Sequence, residues 1–212
     1  MKGLRALIPV LLASALCPAR AQPVGLHPGA EPSGSKAQSS NQRIAGKWLL
    51  AIEATALKKS VKPVSSCSDQ AISLDFNAAF AASTVSALKD IFEYIEEIHS
   101  PVVGDEAKAR KAKGLIVVRA DELGARLIWE AGLLVSHVDL AASVSASVSV
   151  DIRTTRVLEA IVKGQSEAAN DSRDVCSRGE QEVMDIAAAA TEDAVNKLTM
   201  VLRESEYLRS EK

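Results

Sequence analysis

The sequence predicts an α+β fold: an antiparallel or mixed sheet of four to five strands, with two long helices packed on one face, in the order β-α-β-β-β-α. Three observations carry this reading. Every even position from Val138 to Ile152 is apolar, while the odd positions are mostly serine, alanine and aspartate. That period of two belongs to a strand with one buried and one wet face. After Arg153-Thr154-Thr155-Arg156 an apolar run returns over residues 157–162, which makes a hairpin. Residues 76–95 and about 179–208 instead repeat apolar side chains every three or four positions, the period of a helix with one buried face.

The first residues read as an export signal. Met1-Lys2-Gly3-Leu4-Arg5 supplies positive charge, residues 6–16 a short apolar core, and Ala19-Arg20-Ala21 the small residues of a cleavage site between Ala21 and Gln22. The alternative is a lipoprotein lipidated at Cys17, and membrane association is expected only in that case. Cleavage removes Lys2, Arg5 and Arg20, which leaves 22 basic against 27 acidic residues, a formal charge of -5. A chain of that charge lacks the basic surface that neutralises phosphates, so nucleic acid is not an expected partner. Two cysteines remain, Cys67 and Cys176. In an oxidising compartment they most simply form a disulfide, whose long loop would contribute roughly 3–5 kcal/mol by chain entropy; two separate thiols are the other reading. There is no CxxC pair for redox chemistry.

Residues 22–42 hold Pro23, Pro28, Pro32, Gly25, Gly29 and Gly34 with few large apolar side chains. Such a stretch cannot offset its ordering entropy by burial and is expected to be a linker. The remainder, residues 43–210, has the size of one domain. A first strand is expected over residues 44–57, ended by Lys58 to Pro63. The helix that follows has Asp75 as its N-cap and a stripe of Phe76, Phe80, Thr84, Leu88, Ile91, Phe92 and Ile95, with Pro101 closing the run. The charged segment 104–114 is either one turn of helix or a loop. Residues 115–120 and 125–129 read as two strands around a bend at 121–124, residues 164–176 as a loop, and the last helix carries Val183, Ala187, Ala190, Ala194, Leu198 and Val201 on one stripe. Its small residues and lack of sustained heptads argue against a coiled coil.

Little in the chain points to catalysis. His27, His99 and His137 have no spacing that lets metal ligands converge, and there is no HExxH. Neither a phosphate-cradling glycine loop nor a GxSxG elbow is present. Glu93, Glu96 and Glu97 are expected on the polar side of the first helix. No metal or cofactor is therefore expected, and the hydrolase reading is the weakest. The serine ladder Ser143, Ser145, Ser147 and Ser149 has two readings. One is simply the wet side of a strand. The other is a flat small-residue edge or face on which another subunit packs, since short side chains permit close approach.

Two segments resemble a known family. Ile72-Ser73-Leu74-Asp75-Phe76 leading into the first helix, and Val148-Ser149-Val150-Asp151-Ile152-Arg153 with its return through Val157 to Gly164, are similar to the CsgG-like and TolB amino-terminal envelope domains. These also occur in YajG-like and penicillin-binding-protein-activator lipoproteins. The likeness spans residues 46–208, and Thr154-Thr155 stands where that family turns on glycine. It implies a non-enzymatic periplasmic accessory of envelope assembly or export, acting by docking on an envelope protein or by self-association. The alternative is a small-molecule or glycan binding module with a pocket between helices and sheet. Against it stands the scarcity of aromatic side chains, Trp48 and Trp129 being the only tryptophans.

Overall fold

In the computed structural model the described residues are 43–62, 71–102, 104–130, 136–172 and 175–210, all within one compact unit, Ser39–Lys212. The expected signal peptide with its Ala21/Gln22 cleavage site, Cys17, the linker 22–42 and Cys67 lie outside them, as does the side chain of Cys176, so the expected disulfide does too.

The chain opens with β1 (Ile44–Glu53), which lies inside the sheet. Trp48, Leu49, Leu50 and Ala51 are buried in succession. That is the pattern of a strand covered on both faces, and it explains why β1 alternates less cleanly than the later strands. The stretch expected to end it forms β2 (Lys58–Val61), which pairs antiparallel with β3 (Ile72–Asp75) as a separate two-stranded sheet.

Helix α1 (Asn77–Ile91) buries Phe80, Thr84, Leu88 and Ile91 at spacings of three and four. Phe76, not Asp75, is its N-cap, although Asp75 Oδ1 still accepts a hydrogen bond from the Asn77 N–H (3.2 Å). The helix is shorter than expected. Phe92 turns to extended backbone and opens β4 (Phe92–Ile98), parallel to β1. The apolar residues Phe92 and Ile95 keep the helical spacing by coincidence; Phe92 is instead buried against Trp48, with ring centroids 5.3 Å apart. Glu93, Glu96 and Glu97 consequently lie on a strand and not on the polar side of a helix.

Of the two readings for the charged segment, a short helix holds: α2 (Gly104–Ala109). It is followed by β5 (Gly114–Glu130), β6 (Ser136–Ile152) and β7 (Thr155–Ser172), an antiparallel meander that completes the sheet order β4-β1-β5-β6-β7. The two strands expected at 115–129 are one. An irregularity between Ala120 and Glu122 inserts an extra residue, and such a bulge flips the faces of everything beyond it. Val118 and Ala120 before it, and Leu123 and Leu127 after it, therefore all reach the core. The loop expected after Gly164 is strand as well. Its core-facing positions are Gly164, Ser166 and Ala168, too small to register as apolar alternation.

Helix α3 (Val175–Glu204) lies on the same sheet face as α1, and α4 (Glu206–Ser210) follows a break at Ser205. The expected class thus holds: a five-stranded mixed sheet with two long helices on one face. The element order gains β2, β3 and β4 and the short helices α2 and α4. Between helices and sheet the space is filled by one cluster that includes Phe80, Leu88, Trp48, Val148, Ala190 and Leu198. Burying each large member contributes about 1.5–3 kcal/mol relative to exposure. A smaller cluster of Leu49, Ala107 and Leu115 lies apart from it, with α2 supplying Ala107. Among the described residues no helix is long and apolar enough to cross a membrane.

Candidate interaction face

Helix α3 covers one face of the β5–β6–β7 ribbon, and the other face is open apart from the end where α2 packs on Leu115. On β6 the core takes Ala142, Val144, Ala146, Val148 and Val150, and the open face takes the intervening residues. Strict alternation in the sequence dictates this, because successive side chains of a strand leave opposite faces. Ser143, Ser145, Ser147 and Ser149 are thereby brought into one row, each half-buried between its neighbours. β6 is hydrogen-bonded on both sides, to β5 and to β7. The ladder is therefore a face; the edge reading does not hold.

The strand register supplies what flanks each serine. Ser147 stands between Arg119 and Ile161, Ser145 between Glu122 and Lys163, and Ser149 between Val117 and Glu159. Ser143 faces Gly124 and Gln165. A Cβ on Gly124 would stand 2.6 Å from the Ser143 Oγ, so glycine there leaves the floor room. The result is a trough. Its floor is one-carbon side chains, and both banks carry longer ones whose charges alternate in sign. None of these positions on β5 or β7 was singled out in the sequence, because cross-strand pairing is invisible before register is known. The bulge at residue 121 is what places Glu122 and Gly124, not Leu123, on this face.

At the α2 end the trough deepens into an open cavity of about 300 Å³. Pro101 and Val102 wall it, Leu115, Val117 and Ser149 floor it, and Arg156 rims it. Charges here are paired. The Arg119 Nε donates to Glu53 Oε2 (2.7 Å), and that hydrogen bond holds the guanidinium pKa above its ordinary value. Arg156 Nε lies 3.0 Å from Asp151 Oδ1 and is shifted the same way by the same kind of bond. The Ser147 Oγ donates to Asp121 Oδ1 (3.3 Å). Beyond the trough, on β4, the Glu96 carboxylate sits between Lys47 and Arg110, and Lys47 first, then Arg110, depresses its pKa.

The other residues weighed in the sequence sit elsewhere. His137 Nε2 lies 3.1 Å from Asp139 Oδ1 on β6, and His99 is exposed just after β4. Among the described residues no cluster of three His, Cys, Asp or Glu side chains has the geometry of a metal site. Trp48 is 2% exposed, so it offers no stacking surface to a sugar.

No family model and no curated protein matches the sequence. Solved structures give fold-level likenesses. A Xanthomonas campestris protein of the DUF330 family aligns at 11% identity and a TM-score of 0.47, covering 81% of this chain and 92% of that one. A putative neuraminyllactose-binding hemagglutinin homolog from Helicobacter pylori gives 8% identity and 0.47, over 82% and 90%. A minor lipoprotein from Acinetobacter baumannii gives 10% identity and 0.39, over 74% and 91%. The link to CsgG-like and TolB-like domains accordingly rests on the resemblance of the two sequence segments alone.

Proposed function

We propose that this chain is an exported, non-enzymatic accessory domain of the bacterial envelope that acts by docking a protein partner in the trough of β5–β6–β7. The observation that carries the reading is the serine row on the open face, with its register-matched banks. A floor of Ser143, Ser145, Ser147 and Ser149 lets a partner's backbone or helix ridge approach the sheet closely, at little side-chain entropy cost. The alternating charges of the banks, Arg119 and Glu122 on one side and Glu159 and Lys163 on the other, select for a partner of complementary pattern more than they add affinity. The export-signal pattern of residues 1–21 and the resemblance to envelope domains support the location.

The ligand-binding alternative finds less support: Phe80, Leu88 and their neighbours fill the centre of the space between helices and sheet, and the open groove of about 610 Å³ between α1 and the β1–β4 pair has no Phe, Tyr or Trp in its lining on which a sugar could stack. The test is to raise the floor. Ser147→Arg puts a long side chain into a half-buried, outward-facing position, so folding should persist while partner capture from the envelope fraction is lost. Undiminished capture by the folded variant would remove the trough from the account.

A further inference from the structure

β7 is an edge of the sheet, and its outward backbone is only partly covered. The Gln165 N–H donates to Asp193 Oδ2 (2.9 Å), and the Lys197 Nζ donates both to the Lys163 carbonyl oxygen (2.9 Å) and to Asp193 Oδ2 (2.8 Å). Helix α3 thus reaches round the edge at that point. In an antiparallel ladder the N–H and C=O of one residue point to the same side, and the side alternates along the strand. These bonds therefore set the parity: Glu159, Ile161 and Lys163 direct their backbone groups away from β6. On the other side the ladder is broken by a bulge at Val157. Between bulge and helix lies a window, residues 159–163, whose outward backbone α3 reaches only at the Lys163 carbonyl oxygen. The outward N–H and C=O of its central residue have no partner among the described residues, and the Ile161 side chain is 76% exposed.

We infer that this window pairs antiparallel with the same window of a second copy, about a two-fold axis through Ile161. In that register Ile161 meets Ile161 of the second copy, and Glu159 meets Lys163 twice. The window complements itself about this residue alone. An axis through Glu159 sets two carboxylates opposite each other, and an axis through Lys163 sets two ammonium groups opposite each other, both unfavourable. Lys163 need not release Lys197, because a carbonyl oxygen has a second lone pair to accept the new bond. An exposed, long edge strand is otherwise a site of uncontrolled pairing; closed isologous pairing limits it to two copies. The inference concerns an edge and a second copy of this chain; Glu159 and Lys163 also bank the trough, so its test reads the mass of the purified chain alone, which no trough partner can alter.

The experiment is the mass in solution, by sedimentation, of the purified chain and four samples derived from it. The wild-type chain is expected at twice the monomer mass. Ile161→Lys, at an exposed position that leaves the core intact, is expected at the monomer mass. Glu159→Lys and Lys163→Glu each set like charges opposite one another and are expected to be monomeric. Their equimolar mixture restores both opposite-charge pairs and is expected to return to twice the monomer mass. A wild-type chain that stays monomeric at high concentration overturns the inference. So does a dimer that survives the three substitutions, or a mixture that fails to recover.

Discussion

Gly164 of β7 and Ala190 of α3 are packed so closely that a Cβ on the glycine would overlap the Ala190 carbonyl oxygen, and would stand 2.8 Å from the Ala194 Cβ. Two small-residue positions therefore set how near the long helix sits to the edge strand. The obstacle to a larger residue is mostly helix backbone, which cannot swing aside. Gly164→Ala should accordingly cost about 1–3 kcal/mol, the usual range for overpacking, read as a lowered denaturant midpoint with unchanged slope.

Asp193 links the same two elements by accepting from the Gln165 N–H; Lys197 on its own helix first, then that N–H, depresses its pKa. A carboxylate whose pKa is lower folded than unfolded contributes stability that is fully present above the unfolded value. That contribution is lost as pH falls through the folded value. Stability from this group should be flat above about pH 5 and decline in acid. The local readout is hydrogen exchange at the Gln165 amide: protected at neutral pH, unprotected in acid, and unprotected at every pH in Asp193→Ala.

Thr84 is fully buried in α1, and its Oγ1 has no hydrogen-bond partner among the described residues. An unsatisfied buried hydroxyl costs about 1–3 kcal/mol, and replacing it by an apolar group of the same shape removes the cost. Thr84→Val should raise thermal stability, with about 1 kcal/mol expected, whereas Thr84→Ala should lower it by leaving a void.

Arg153 opens the two-residue turn between β6 and β7 with φ of 58°, where hairpin turns favour glycine. The left-handed region costs a side-chain-bearing residue about 1–2 kcal/mol, part of which glycine gives back as unfolded-state entropy. Arg153→Gly should stabilise the hairpin by about 0.5–1 kcal/mol in equilibrium unfolding.

The meander was legible because β6 alternates over its whole length with valine, alanine and serine, and because α3 repeats its apolar stripe cleanly. What was missed has definite causes. Phe92 falls four residues after Leu88 and Ile95 four after Ile91, with no glycine or proline between, so nothing local marks the change to β4; only pairing with β1 decides it. The second half of β7 was missed because its inner positions are small to fit against α3, and small residues weaken the period that identifies a strand. Among site residues, the serine row was found from its alternation. Its banks, Arg119, Glu122, Glu159 and Lys163, are set by register and by the bulge after Ala120, and neither can be read from one strand at a time.

The central claim, that the open face of β5–β6–β7 holds a protein partner, is tested most directly by site-specific photo-crosslinking in the native envelope. A photoreactive residue is placed at Glu122, an exposed position on a bank of the trough, and in a second sample at Met200, an exposed position on α3. The account predicts a discrete adduct from Glu122 and none from Met200, with the Glu122 adduct abolished when Ser147→Arg is added. Equal adducts from both positions, or an adduct from Met200 alone, would contradict it.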